Sequence, residues 1–275
     1  MAQTCYRHPG RETGVSCSSC GRPICPECMT PTPVGMRCPE CAGQRTRVTR
    51  GTSAPSGFAA SPATFVLIAL NAVAFLIEIA GGSGGLSGTA TSSIVNDFGL
   101  RGVNVADGEW YRLVSGGFLH AGLVHIGFNM FALFILGRLL EPAIGTQRFV
   151  ALYFASLFAG AFGAIALTNP HTVTVGASGA IFGLFGAAFV IARGRGLNAL
   201  ASELGVILLL NLGITFGVPG ISIGGHLGGV VGGVICALFI VAGERGNLGP
   251  NPKAAEILAM AAIAIFSIAA AIEVA

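Results

Sequence analysis

Charge is what this sequence has least of. Charged residues make up only 10% of its 275 positions, against 53% hydrophobic ones. A soluble domain of this length would carry more charge on its surface, so that class is excluded. The formal net charge of +3 is too small to point to nucleic acid, and no nucleic-acid partner is expected. Cysteine is nearly missing beyond the start of the chain: seven of the eight lie in the first 41 residues. The chain therefore divides into a small polar head and a long apolar body. Internal repeats and a charged site in the middle of an apolar run are also lacking, which argues against a transporter.

The head is defined by what it concentrates. Residues 1–41 hold Cys5-x-x-His8, Cys17-x-x-Cys20, Cys25-x-x-Cys28 and Cys38-x-x-Cys41. Two-residue spacing lets both members of a pair reach one ion from a tight turn, and eight ligands suffice for two tetrahedral zinc sites. A disulfide cluster fits less well, because a histidine completes the set and no signal peptide is evident before it. Four residues separate Cys20 from Cys25. That favours interleaved sites, Cys5/His8 with Cys25/Cys28 and Cys17/Cys20 with Cys38/Cys41, while sequential pairing stays open. By ligand spacing the module resembles a B-box-type zinc finger, which implies a cytoplasmic protein partner rather than chemistry. Residues 42–61 are rich in Arg, Thr, Ser, Gly and Pro and read as a flexible basic linker.

Seven apolar runs follow, at roughly 63–80, 122–140, 148–168, 178–192, 199–216, 222–242 and 255–274. Most approach the roughly 20 residues needed to cross a bilayer, so a multi-pass all-α protein in a lipid bilayer is expected. Arg45, Arg47 and Arg50 precede the first run. Arg138 and Arg148, Arg193 and Arg195, and Arg245 and Lys253 flank every second loop after it; only Arg101 and Arg112 lie on the other side. The positive-inside rule then puts the N-terminus in the cytoplasm and the C-terminus outside. The head would sit in a reducing compartment, which again favours metal over disulfides. The long outer loop, 81–121, begins with glycines and ends with Trp110, Tyr111, Leu113, Phe118 and Leu119. It reads as interfacial and partly embedded.

Polar residues inside the spans are few. Span two carries His125 and Asn129, four apart and so on one helical face. Span four opens with Ser178 in Val175-Gly176-Ala177-Ser178-Gly179-Ala180, and span six carries His226 in Gly224-Gly225-His226-Leu227-Gly228-Gly229. At 1.5 Å per residue Asn129 lies about 10 Å, and His226 about 6 Å, below the outer ends of their spans. Span four is short, so Ser178 also starts below the outer surface. All four polar groups fall in one layer, and intramembrane polar groups are costly without a function. By itself the Ser178 stretch also fits a small-xxx-small helix contact without chemistry. Gly229 and Gly233 share a face with His226, and Gly179, Gly183 and Gly186 give span four small positions, so the two helices can approach closely. His226 is then placed to take the Ser178 proton, and Asn129, His125 and the Ser178 N–H to donate to an oxyanion. Neither span four nor span six contains Asp or Glu, so the expected arrangement is a Ser–His dyad.

These motifs together resemble the rhomboid intramembrane serine proteases: Gly176-Ala177-Ser178-Gly179, His226-x-x-Gly229-x-x-x-Gly233, His125-x-x-x-Asn129 and Trp110-Tyr111-Arg112. The resemblance covers about residues 60–245. It implies a six-helix core, with the seventh span as an addition, and cleavage of transmembrane protein substrates by Ser178 and His226. Two departures stand out. Tyr111 is inserted between the family's tryptophan and arginine, and Phe182 stands where a tyrosine often lies under the histidine ring. Glu141 matches an acidic residue that the family uses structurally.

The expected organisation is a zinc module at 1–41, a linker at 42–61, a protease core at 62–245 and a further transmembrane helix at 246–275. The plasma membrane is the expected location. The other reading of the same chain is a catalytically inactive rhomboid-like scaffold that binds transmembrane helices.

Overall fold

Each ligand pair of the head sits on a tight turn. The N–H of His8 donates to the carbonyl of Cys5 (3.1 Å), that of Gly21 to Cys17 (2.9 Å), that of Cys28 to Cys25 (2.8 Å) and that of Ala42 to Cys38 (2.8 Å). The computed structural model describes residues 3–32, 35–43, 57–82 and 93–275. It divides the chain into a unit of residues 1–54 and a unit of residues 55–275. The Arg-containing part of the linker and the middle of the glycine-rich start of the outer loop lie outside the described residues.

In the first unit β1 (Gln3–Thr4) pairs antiparallel with β2 (Glu12–Thr13), and β3 (Thr30–Thr32) with β4 (Gly35–Arg37). A short helix, α1 (Pro39–Gly43), follows. So little strand cannot bury a conventional core, and the buried apolar cluster is Ile24 with six of the seven cysteines, Cys20 alone being exposed. A domain of this size depends on staples such as metal ions.

The second unit is helical. A 3₁₀ turn at Gly57–Ala60 leads into α2 (Pro62–Ala80), with proline in its first turn, where the missing N–H costs nothing. Three short helices come next: α3 (Ser93–Phe98), α4 (Gly102–Ala106) and α5 (Arg112–Ser115). Then come α6 (Leu123–Ile144), α7 (Thr146–Leu167), α8 (Ser178–Gly194), α9 (Asn198–Gly217), α10 (Ile223–Glu244) and α11 (Pro252–Val274). Among the described residues six helices are long and apolar enough to span a membrane, and α8, at 17 residues, is a shorter apolar one. These six helices and the shorter α8 match the seven apolar runs. The outer loop differs from a plain loop, because Val95, Val105 and Leu113 are buried and fold it into helical turns.

α10 lies against both α7 and α8, and glycine makes that possible. A Cβ on Gly229 or Gly233 would run into the carbonyls of Gly179 or Gly183, and one on Gly228 into that of Ala159. The backbones touch, and such contact yields dispersion energy that lipid tails alone do not match. Around this seam Leu133, Phe149, Leu152, Tyr153, Leu184 and Ile240 form the core. Large apolar side chains such as Phe128, Phe131, Leu209 and Phe266 point outward, as a hydrocarbon solvent permits.

One end of the bundle is tied by buried or paired charges. Glu141, at the end of α6, accepts from the N–H groups of Ala63 (3.0 Å) and Thr64 (2.8 Å) and from the hydroxyls of Thr64 and Thr146. A carboxylate there meets the positive end of α2. Arg195 pairs with Glu244 and donates to the carbonyl of Ala143. The ends of α6, α8 and α10 therefore lie together. Arg148 pairs with the fully buried Glu256, joining α7 to α11.

Candidate active site

The segment before α8 is extended. Thr174 and Leu100 exchange N–H···O bonds of 3.0 and 2.8 Å, and the N–H of Gly176 donates to the carbonyl of Gly116 (2.9 Å). Gly176 then turns the chain with φ +124°, a conformation for glycine, and a Cβ there would meet the ring of His125. Ser178 is the first residue of α8. The N–H groups of a first helical turn have no partner inside the helix, so they are free to face a negative charge.

His226 lies in the first turn of α10, which begins with Ser222 accepting from the N–H of Gly225 (3.1 Å). Its Nε2 is 2.8 Å from Ser178 Oγ. The ring of Phe182 lies flat beneath it, with centroids 3.9 Å apart and planes 17° apart. On the far side Nδ1 is 2.7 Å from the hydroxyl of Thr215 on α9, and that hydroxyl also donates to the carbonyl of Asn211 (2.9 Å). Reasoning confined to spans two, four and six misses Thr215. The available signal was a hydroxyl near the outer end of span five, four residues after Asn211 and so on one helical face with it.

His125 accepts at Nδ1 from the N–H of Ala121 (3.2 Å). As a neutral ring it then carries its proton on Nε2, the edge facing Gly176. His120 packs edge-on against it at 5.2 Å, and the N–H of His120 donates to the buried Glu78. Asn129 is buried and on the same face, but one of its amide protons goes to the carbonyl of His125 (2.8 Å). The structure thus joins Ser178 to His226 directly and sets His125 against the turn before Ser178. The Asn129 amide is turned toward its own helix, with one N–H left over.

A cavity of about 30 Å³ opens beside Ser178, lined among others by Arg112, Gly117, Gly160, Gly179 and Ser222. That is room for a water molecule or two. Arg112 is buried and clasps the outer loop: it donates to Glu109 (2.6 Å) and to the carbonyls of Asn96 and Gly99, both at 2.8 Å. This arginine holds the Glu109 carboxyl below its ordinary range, with Tyr111 and Asn104 adding to the effect. Tyr111 and Trp110 are exposed. With these contacts Arg112 braces the loop whose Leu100 and Gly116 hold residues 174–176.

In the head the ligand atoms of Cys5, His8, Cys25 and Cys28 lie within 4.8 Å of one another, and so do those of Cys17, Cys20, Cys38 and Cys41. All eight cysteines of the chain are free. Four ligands held at 2.0–2.3 Å around one tetrahedral ion stand roughly 3.3–3.8 Å apart. The separations of His8 Nδ1 from Cys25 (3.3 Å) and Cys28 (3.4 Å), and of Cys20 from Cys38 (3.9 Å), fit that polyhedron. The pairing is interleaved. The N–H of Cys38 donates to Cys17 Sγ and is the main cause that pulls this thiol from 9.0 down to about 6, favouring the thiolate a metal needs.

A Rhomboid domain family model matches residues 107–243. The putative rhomboid protease YdcA of Bacillus subtilis is 36% identical over 143 residues, which cover 50% of this chain and 71% of that protein. The chain belongs to the rhomboid family. Rhomboid protease GluP of the same organism is 36% identical over 206 residues, 73% of this chain but 39% of GluP. RHOMBOID-like protein 5 of Arabidopsis thaliana is 36% identical over 145 residues, 50% of this chain and 46% of that protein. The chain therefore spans well under half the length of GluP and most of the length of YdcA. As a rhomboid it is a multi-pass integral membrane protein. The matched segment runs from α4–α5 to the end of α10 and contains Ser178, His226, His125 and Asn129. It leaves out α2, α11 and the cysteine-rich head.

Proposed function

We propose that this rhomboid is an intramembrane serine endopeptidase that cuts transmembrane segments of other proteins near the outer face. The observation that carries this reading is the 2.8 Å contact between Ser178 Oγ and His226 Nε2. In the first step Oγ attacks the scissile carbonyl carbon and its proton passes to Nε2. The resulting oxyanion would meet the Ser178 N–H, the His125 Nε2–H and the remaining Asn129 N–H. The imidazolium then protonates the leaving amine, and the C–N bond breaks to give an acyl-enzyme. Water, for which the cavity beside Ser178 has room, attacks the ester as His226 takes its proton. The acid product leaves and Ser178 recovers its hydrogen. A helix shields its own peptide bonds, so substrates should carry Gly, Pro or other helix-weakening residues near the cut.

Two further parts belong to this reading. The head holds two structural zinc ions and binds a cytoplasmic protein; its eight ligands leave no open coordination position for chemistry. The chain lies in the plasma membrane with its N-terminus in the cytoplasm and its C-terminus outside, an orientation that the arginine and lysine distribution supports.

The test is fluorophosphonate labelling and cleavage of a transmembrane substrate in detergent. Wild type should label and cut. Ser178→Ala and His226→Ala should each lose cleavage while unfolding at the wild-type temperature. Near wild-type cutting by either variant would refute the dyad, and the reading as an inactive scaffold would gain if wild type itself neither labels nor cuts.

A further inference from the structure

We infer that Thr215 is a positioning residue that fixes the tautomer and the rotamer of His226. The inference rests on the Ser–His reading above. Four groups stand in a row: the Asn211 carbonyl, the Thr215 hydroxyl, the His226 ring and the Ser178 hydroxyl, at 2.9, 2.7 and 2.8 Å. The carbonyl can only accept. Thr215 has one proton, and it goes to that carbonyl. The Thr215 oxygen must then accept, and among the described residues the donor that faces it is His226 Nδ1–H. A neutral imidazole protonated on Nδ1 has a bare Nε2, which is the form able to receive the Ser178 proton. One arrangement of protons satisfies the whole row.

The stacking of Phe182 cannot do this work. It holds the ring plane, but a half-turn about Cβ–Cγ keeps that plane and puts carbon where both nitrogens were. Thr215 breaks the tie, because only one of the two orientations gives its oxygen a donor. Leaving that buried oxygen without one is costly. Thr215 is also unusual on its own helix. α9 buries only Ala201, Leu204 and Thr215, and of these Thr215 alone is polar. The base is thereby oriented from α9, a helix that contributes neither nucleophile nor base. The seating of α9 against the bundle becomes a condition for a competent His226.

The test compares wild type, Thr215→Val and Thr215→Ser, in a preparation whose activity is first shown to vanish in Ser178→Ala. Valine keeps the shape and removes the hydroxyl, so kcat should fall roughly tenfold or more, a part of what a general base supplies. KM should stay within about twofold, and serine should restore kcat to within about threefold. Wild-type kcat in Thr215→Val, or equal damage in Thr215→Ser and Thr215→Val at equal folded fraction, overturns the inference. A second measurement needs neither a variant of Thr215 nor activity. ¹⁵N-histidine NMR of the wild type, with the His226 signals assigned by their loss in His226→Gln, should show the Nδ1–H tautomer. An Nε2–H tautomer overturns the inference even in a chain that cuts. If the chain does not cut, the protease reading fails while the tautomer is still read.

Discussion

In the proposed reaction Ser178 has to lose a proton where there is little water to take it, so every neighbouring donor and acceptor counts more than it would at a surface. That gives Asn129 particular interest. Its side chain spends one N–H on the carbonyl of its own helix, at His125, and this tether points the amide and limits its freedom. The second N–H is the one available to an oxyanion. Asn129→Ala should lower kcat by up to about 10²–10³ and leave KM nearly unchanged, because the Ser178 N–H and His125 still donate. Full wild-type kcat would remove Asn129 from the site; a rise in KM alone would make it a ground-state contact. The residue types were legible in the sequence because polar groups are rare in apolar spans. Their hydrogen-bond directions were not. Nothing in His125-x-x-x-Asn129 says that the amide turns back on its own helix, or that Ala121 settles which His125 nitrogen carries the proton.

At the scale of helices, the meeting of Ser178 and His226 depends on side chains that are not there. α8 and α10 approach until the backbone of Gly229 rests on that of Gly179. Gly229→Ala puts a methyl into a carbonyl, and the helices must part. We expect a loss of roughly 1–3 kcal/mol from overpacking. Fluorophosphonate labelling should fall further than stability does, since a shift of about 1 Å already disturbs a 2.8 Å hydrogen bond. Gly213→Ala on α9 is the control, because a Cβ there meets nothing within 4 Å; it should leave both labelling and thermal unfolding unchanged. Equal behaviour of the two variants would show that the glycine seam does not set the site. These helices were readable beforehand from length and hydropathy, and the glycine faces from their spacing. The outer loop was not, because its helical turns are held by single anchors such as Val95 and Leu113 and by the Arg112 clasp. Such long-range fixings leave no periodic trace. Thr215 was missed for a related reason: a threonine in an apolar helix usually bonds its own backbone, and here it does that and holds a histidine as well.

At the scale of the whole chain, the head and the bundle rest on different physics. The bundle is held by backbone contact, apolar packing and a few charge ties in a lipid solvent. The head has two short hairpins and a core made largely of its own ligands, so without metal it has almost nothing to fold around. Residues 1–45 should therefore bind about two zinc ions, release them as acid protonates the thiolates, and lose their fold to a chelator. The bundle should not share that fate, since no residue of its site is a ligand in either cysteine cluster. A chain beginning at Thr52 should cut a transmembrane substrate in detergent at the rate of the full chain, and chelator should leave both rates unchanged. Circular dichroism and metal analysis of the head, beside cleavage by the two chains, check this. If the shortened chain is folded but slow, or if chelator slows only the full chain, the head acts on the protease and not merely on its recruitment.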